Sequence, residues 1–122
     1  MKTLFYIFIG GGFGSILRFL ISGYTQKLWT VNSFPLGTLL VNIAGCFLIG
    51  FISYRFPDNG SDLKFLLIAG FCGGFTTFSA FSMENFQLYQ HGNFGLLLLN
   101  ICLNVVAGML AFWAGMRAAV LL

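Results

Sequence analysis

Ala69-Gly70-Phe71-Cys72-Gly73-Gly74-Phe75-Thr76-Thr77-Phe78-Ser79-Ala80-Phe81-Ser82-Met83-Glu84-Asn85 is the stretch that decides how this chain is read. It lies inside an apolar run from about Lys64 to Tyr89, longer than the roughly 20 residues a helix needs to cross a bilayer. Where an ordinary span would carry aliphatic side chains, this one has Gly70, Gly73 and Gly74, then two threonines, two serines and a carboxylate. Each glycine lowers helix stability by about 1 kcal/mol relative to alanine, so a break is expected near Gly73-Gly74. Within a bilayer, broken backbone is tolerated only where protein or a polar cavity takes up the freed groups, and carbonyls that converge on one point can hold a cation. Glycine alone also serves close helix packing; the polar run directly after it favours a functional break.

At about 100° per residue, the stretch sorts into rows. Phe75, Phe78 and Phe81 form one, Thr76, Ser79 and Ser82 a second, and Thr77, Ala80 and Glu84 a third. Aromatic rings alone would mean core or lipid contact. A phenyl edge is positively polarised, however, and beside hydroxyl donors it can meet a small anion without binding it too tightly to leave.

Working outward, the chain of 122 residues has a mean hydropathy of +0.91, with 58% apolar and 7% charged residues. This composition predicts an all-α polytopic membrane protein with four spans over roughly 3 to 24, 34 to 56, 64 to 90 and 94 to 121. One transmembrane domain, 1–122, uses nearly all of the chain, so a pore is expected between subunits rather than within one. The net charge of +3 is dispersed, without a Lys/Arg cluster, and excludes a nucleic-acid partner as the reading. Cys46, Cys72 and Cys102 share no metal-ligand spacing, and His91 is the single histidine, so neither a histidine triad nor a histidine metal site is available in one chain. No enzyme is expected.

The first span carries Gly10 and Gly14 at the small-xxx-small spacing, then Arg18, which either snorkels to the interface or faces an aqueous vestibule that draws in anions. A first loop over Thr25 to Ser33 would place Trp29 at the interface. Pro35 opens the second helix; within it, Asn42 either ties helices together or lines a pore. Pro57 to Asp62 reads as a polar turn. The fourth span sets Asn100, Asn104 and Gly108 on one face. Lys2, Arg55, Lys64 and Arg117 fall on one side of the membrane against Lys27 and Arg18, a weak bias compatible with insertion in both orientations.

The chain closely resembles the Fluc (CrcB-like) family of bacterial fluoride channels across all four spans. The resemblance rests on Gly10-Gly11-x-x-Gly14-Ser15-x-x-Arg18, Gly37-Thr38-Leu39-x-x-Asn42-x-x-Gly45, Asn104-x-x-x-Gly108 and, most specifically, the run from Gly70 to Glu84. It implies an antiparallel, dual-topology homodimer in the bacterial inner membrane, with two fluoride pathways that export the ion passively and relieve its toxicity. It also implies a central structural sodium ion held by the carbonyls of Gly73 and Thr76. By the same resemblance Phe78 and Phe81 offer ring edges to the pathway, Asn42 its amide, and Thr77, Ser79, Ser82, Glu84 and Asn104 further polar positions. Arg18 would belong to a vestibule. Ser15, Phe19, Cys46 and Asn104 depart from the family's usual residues, and Ala80 interrupts a polar row that a threonine often completes. Two other classes compete: a small multidrug-type transporter, which should carry a carboxylate deep in its first helix, and a structural subunit of a larger complex, which needs no Phe and Thr/Ser rows beside a break.

Overall fold

The computed structural model describes residues 1–28, 34–57 and 60–122. Trp29 of the first loop and Asp58 and Asn59 of the second turn lie outside the described residues. Helix α1 spans Lys2–Leu28 and α2 spans Leu36–Arg55. The third span is two helices, α3 over 62–75 and α4 over Phe78–Gln90, and α5 spans Phe94–Leu121. Four spans result, each long and apolar enough to cross a membrane.

The first span runs past the expected Tyr24 and takes in the start of the expected loop. A local tie accounts for it. In the last turns of α1, Gln26 Nε2 donates to Phe34 O at 2.9 Å and its Oε1 accepts from Gly37 N at 3.2 Å. The side chain thus satisfies an amide that α2 leaves open at its start, and anchors the end of α1 to it.

Two glycine crossings build the scaffold. On α1, a Cβ at Gly10 would meet Leu66 O and lie 2.8 Å from Phe71 N, and one at Gly14 would meet Phe71 O and lie 2.9 Å from Phe75 N. From the other side, a Cβ at Gly74 would strike Gly11 O. Backbones therefore touch directly between α1 and α3, the close approach that small residues permit in a membrane. Helices α2 and α5 pack in the same way, with Gly50 against the Phe112 backbone and Gly115 against Phe47 and Phe51. Helix α4 has a single buried residue, Leu88.

Helix α3 begins on a cap, with Ser61 Oγ accepting from Lys64 N at 3.3 Å. From Phe65 to Cys72 it widens into a π-helix, whose bonds reach five residues along the chain instead of four. Nothing in the residue types announces that wider turn. Many large apolar side chains, among them Phe8, Phe19, Leu98 and Met109, are exposed on the single chain, as expected of helices that face lipid or another subunit.

Candidate functional site: the broken third span

The third span does break beside its glycine pair, and the non-helical residues are Thr76 and Thr77. Gly73 is itself helical, with φ −62° and ψ −37°. Thr76 is extended at φ −86°, ψ 156°, and Thr77 at φ −150°, ψ 119°. The glycines are spent on close packing and an open surface: Gly74 lies against α1, while Gly73 is exposed.

Side chains fix the position of the break. Thr76 Oγ1 donates to Cys72 O at 2.8 Å, closing the last turn of α3. Thr77 Oγ1 accepts from Ala80 N at 3.2 Å, which is the N-cap of α4. Asn42, reaching in from α2, takes up both backbone groups of Thr77: its Oδ1 accepts from Thr77 N at 2.9 Å, and its Nδ2 donates to Thr77 O at 3.3 Å. In a medium without water, this is the compensation that a broken helix requires.

The break takes the helical donors from four carbonyls, those of Gly73, Gly74, Phe75 and Thr76. In an unbroken helix Gly73 O would accept from Thr77 N and Thr76 O from Ala80 N; the first amide is held by Asn42 and the second by the Thr77 hydroxyl. Gly74 O, whose helical donor would be Phe78 N, receives Arg18 Nε at 3.1 Å. A guanidinium at the C-terminal end of α3 also meets the negative end of its dipole. Arg18 is half-buried there and bonded to the break, a partner that neither expected place, the interface or a vestibule, had supplied. Gly73 O and Thr76 O are among the neutral carbonyl oxygens so left, groups of the kind that can coordinate a cation.

Beside the break lies a cavity of about 300 Å³ lined by Asn42, Thr76, Thr77, Phe78, Phe81 and Asn104, with Cys46, Ile49 and Val105 completing its wall. The Phe78 and Phe81 rings are 5.6 Å apart at 44°. Phe78 is 78% exposed, so the cavity opens on the flank of the single chain. Thr77 Oγ1 and Ser79 Oγ stand 3.1 Å apart, while Ser79 and Ser82 both face outward.

Glu84 belongs to a second space, a cleft of about 610 Å³ shared with Thr38, Gln26, Gln87 and His91. Thr38 Oγ1 donates to Glu84 Oε1. Among the described residues Glu84 Oε2 is buried without a hydrogen-bond partner. Two members of the row Thr77, Ala80, Glu84 therefore face the same helix: Thr77 meets Asn42 and Glu84 meets Thr38, one turn apart on α2.

Asn104 is bound into a longer chain of amides. Asn42 Nδ2 donates to Asn104 Oδ1 at 3.1 Å; Asn104 Nδ2 donates to Asn100 Oδ1 and to Asn100 O, both at 2.9 Å; Asn100 Nδ2 donates to Asn85 Oδ1 at 2.7 Å. Asn85 and Thr38 carry contacts to which sequence reasoning assigned no role. The i, i+4 pair Asn100 and Asn104 was the available signal.

Comparison with known proteins agrees with this architecture. A family model for CrcB-like protein, camphor resistance (CrcB), matches residues 5–116. The chain is 49% identical over 122 residues to a fluoride-specific ion channel FluC of Flavobacterium psychrophilum, covering 98% of each chain. It is 47% identical over 118 residues to one of Azobacteroides pseudotrichonymphae, 94% of each. A third, from Methanococcus maripaludis, is 42% identical over 107 residues, 86% of this chain and 85% of the relative. A match that takes in all four spans, over relatives of the same length, leaves no part of the fold outside it: the chain is a multi-pass membrane protein of the CrcB-like family.

Proposed function

We propose that the protein is a passive, fluoride-selective channel. The observation that carries this reading is the break at Thr76-Thr77 beside a cavity lined by the Asn42 amide and the Phe78 and Phe81 rings. Support comes also from the relatives named as fluoride-specific ion channels. Moving bare fluoride into a low-dielectric region costs tens of kcal/mol by Born reasoning, so donors must replace its water along the whole path. The Asn42 amide, the hydroxyls of Thr77 and Ser79, and the ring edges of Phe78 and Phe81 are such donors, none carrying a full charge, while Asn104 commits its nitrogen to Asn100 and acts by holding Asn42. The positive end of the α4 dipole lies at the same point. Ser82 and Glu84 extend the polar face away from the break, with Glu84 in the separate cleft beside Thr38.

The working unit of this proposal is an antiparallel homodimer in the bacterial inner membrane, with one fluoride pathway on each side. An exposed Phe78 on the open flank of the cavity supports a second subunit as its missing wall. The weak charge bias supports insertion in both orientations. A structural sodium ion at the dimer centre is part of the same proposal, with Gly73 O and Thr76 O as its ligands from each subunit. When bound, such an ion supplies positive charge that neutralises converging carbonyl dipoles and locks the two breaks together.

Reconstitution into liposomes with a fluoride electrode tests the function directly. Fluoride should leave down its gradient without a proton gradient, and chloride should not. Equal chloride efflux, or efflux that requires coupled protons, overturns the proposal.

A further inference from the structure

The four asparagines of the site are joined in one direction. Every amide nitrogen in the series donates to the next amide oxygen, from Asn42 on α2 through Asn104 and Asn100 on α5 to Asn85 on α4. Direction matters because an asparagine amide can be turned end for end, exchanging donor for acceptor, at little cost in shape. At Asn104 the nitrogen is committed to Asn100 twice, once to the side chain and once to the backbone carbonyl, so its oxygen faces Asn42. That oxygen in turn draws the Asn42 nitrogen toward the cavity and leaves Asn42 Oδ1 for Thr77 N. Asn100 is 1% exposed, so bulk solvent does not reach it. Its own nitrogen is held by Asn85 Oδ1 at 2.7 Å, the shortest link of the series.

We infer that Asn85, Asn100 and Asn104 are positioning residues that set the orientation of the Asn42 amide, so that its N–H groups rather than its carbonyl are offered to an anion. The inference rests on the proposed fluoride pathway and adds to it the control of its principal amide from a residue outside the cavity. Of the two Asn42 Nδ2 bonds, that to Thr77 O is the longer, at 3.3 Å. This is the bond that yields to a passing anion, while the 3.1 Å bond to Asn104 keeps the amide from turning. A reversed Asn42 would present a carbonyl oxygen to fluoride and repel it.

Asn85 provides the test, because it lies three links from Asn42 and does not line the cavity. Asn85→Leu removes the final acceptor; Asn85→Asp retains it. In protein labelled with nitrogen-15 at asparagine side chains, the Asn42 amide signal is identified by its loss in Asn42→Ser. That signal should shift in Asn85→Leu and return toward its parent position in Asn85→Asp. Fluoride efflux from liposomes should fall about three- to tenfold in Asn85→Leu, the consequence of weakening roughly one hydrogen bond, and recover in Asn85→Asp. An Asn42 signal unmoved in folded Asn85→Leu overturns the inference. A shifted signal with unchanged efflux overturns the assignment of Asn42 to the pathway, and with it the functional half of the inference. Should Asn85→Leu fail to fold, Asn100→Ser, which shortens the middle link, is read by the same two measurements and the same criteria.

Discussion

The two halves of the third span are opposites, although they are separated by only two extended residues. Helix α3 is a packing element: Gly70, Cys72 and Phe75 are buried, and its backbone lies directly on α1. Helix α4 buries only Leu88 and turns Phe78, Ser79 and Ser82 outward. The contrast teaches that the break has a division of labour. One half is anchored on α1, and the other is left uncovered, which in the proposed channel keeps its donors and ring edges available to ions and to a second subunit.

The largest effect that could break this comparison is expected at the crossing. Gly14→Leu would drive a Cβ into Phe71 O and to within 2.9 Å of Phe75 N, which are backbone atoms that no rotamer change can move. A loss of about 3 kcal/mol or more is expected, since overpacking here exceeds the usual range, and the folded fraction on size exclusion in detergent checks it. A variant as stable as the parent would mean that α3 is not the anchored half.

A large effect on flux without one on stability is expected on the other side. Phe78→Ile and Phe81→Ile keep apolar bulk and remove the ring edge. Because Phe78 is 78% exposed on the single chain, little folding energy within the subunit depends on it. Fluoride efflux should fall by orders of magnitude in each variant while size exclusion remains that of the parent. Normal efflux in both would remove these rings from the pathway and leave α4 merely exposed.

The smallest effect sharpens the boundary between the halves. Thr77→Val keeps a β-branched side chain at the extended position but loses the oxygen that accepts from Ala80 N. The loss of the cap should cost about 1 kcal/mol, measured as a lower midpoint of thermal unfolding in detergent. The freed Ala80 amide has no replacement within the span, because extended Thr77 holds Thr76 O away from the helical position, so hydrogen exchange at Ala80 should quicken. Unchanged exchange at Ala80 would show that the Thr77 hydroxyl is not its cap.

Much of the site was legible because membrane sequences are simple. With few polar residues to place, Asn42, Thr77 and Glu84 stand out from their aliphatic surroundings, and the row Thr77, Ala80, Glu84 follows from helix periodicity alone. Its partners do not. That Thr77 meets Asn42 and Glu84 meets Thr38 depends on the register of α2 against α4, which no local pattern encodes. Asn85 was invisible for the same reason: its contact with Asn100 joins α4 to α5 across a turn.

What the sequence determined by itself was the number of spans, the interruption of the third, and the Gly10 and Gly14 face of the first helix. These follow from local quantities: apolar length against bilayer thickness, intrinsic helix propensity, and side-chain size at a fixed spacing. Only the tertiary structure decided that the chain leaves the helix at Thr76 and Thr77 rather than at Gly73 and Gly74. The glycine pair permits a break but does not require one, and where α1 presses on Gly74 a continuous helix packs best. The break forms where Asn42 from α2 can satisfy both backbone groups of Thr77, because in a medium without water an open peptide group is stable only where another part of the fold supplies its partner.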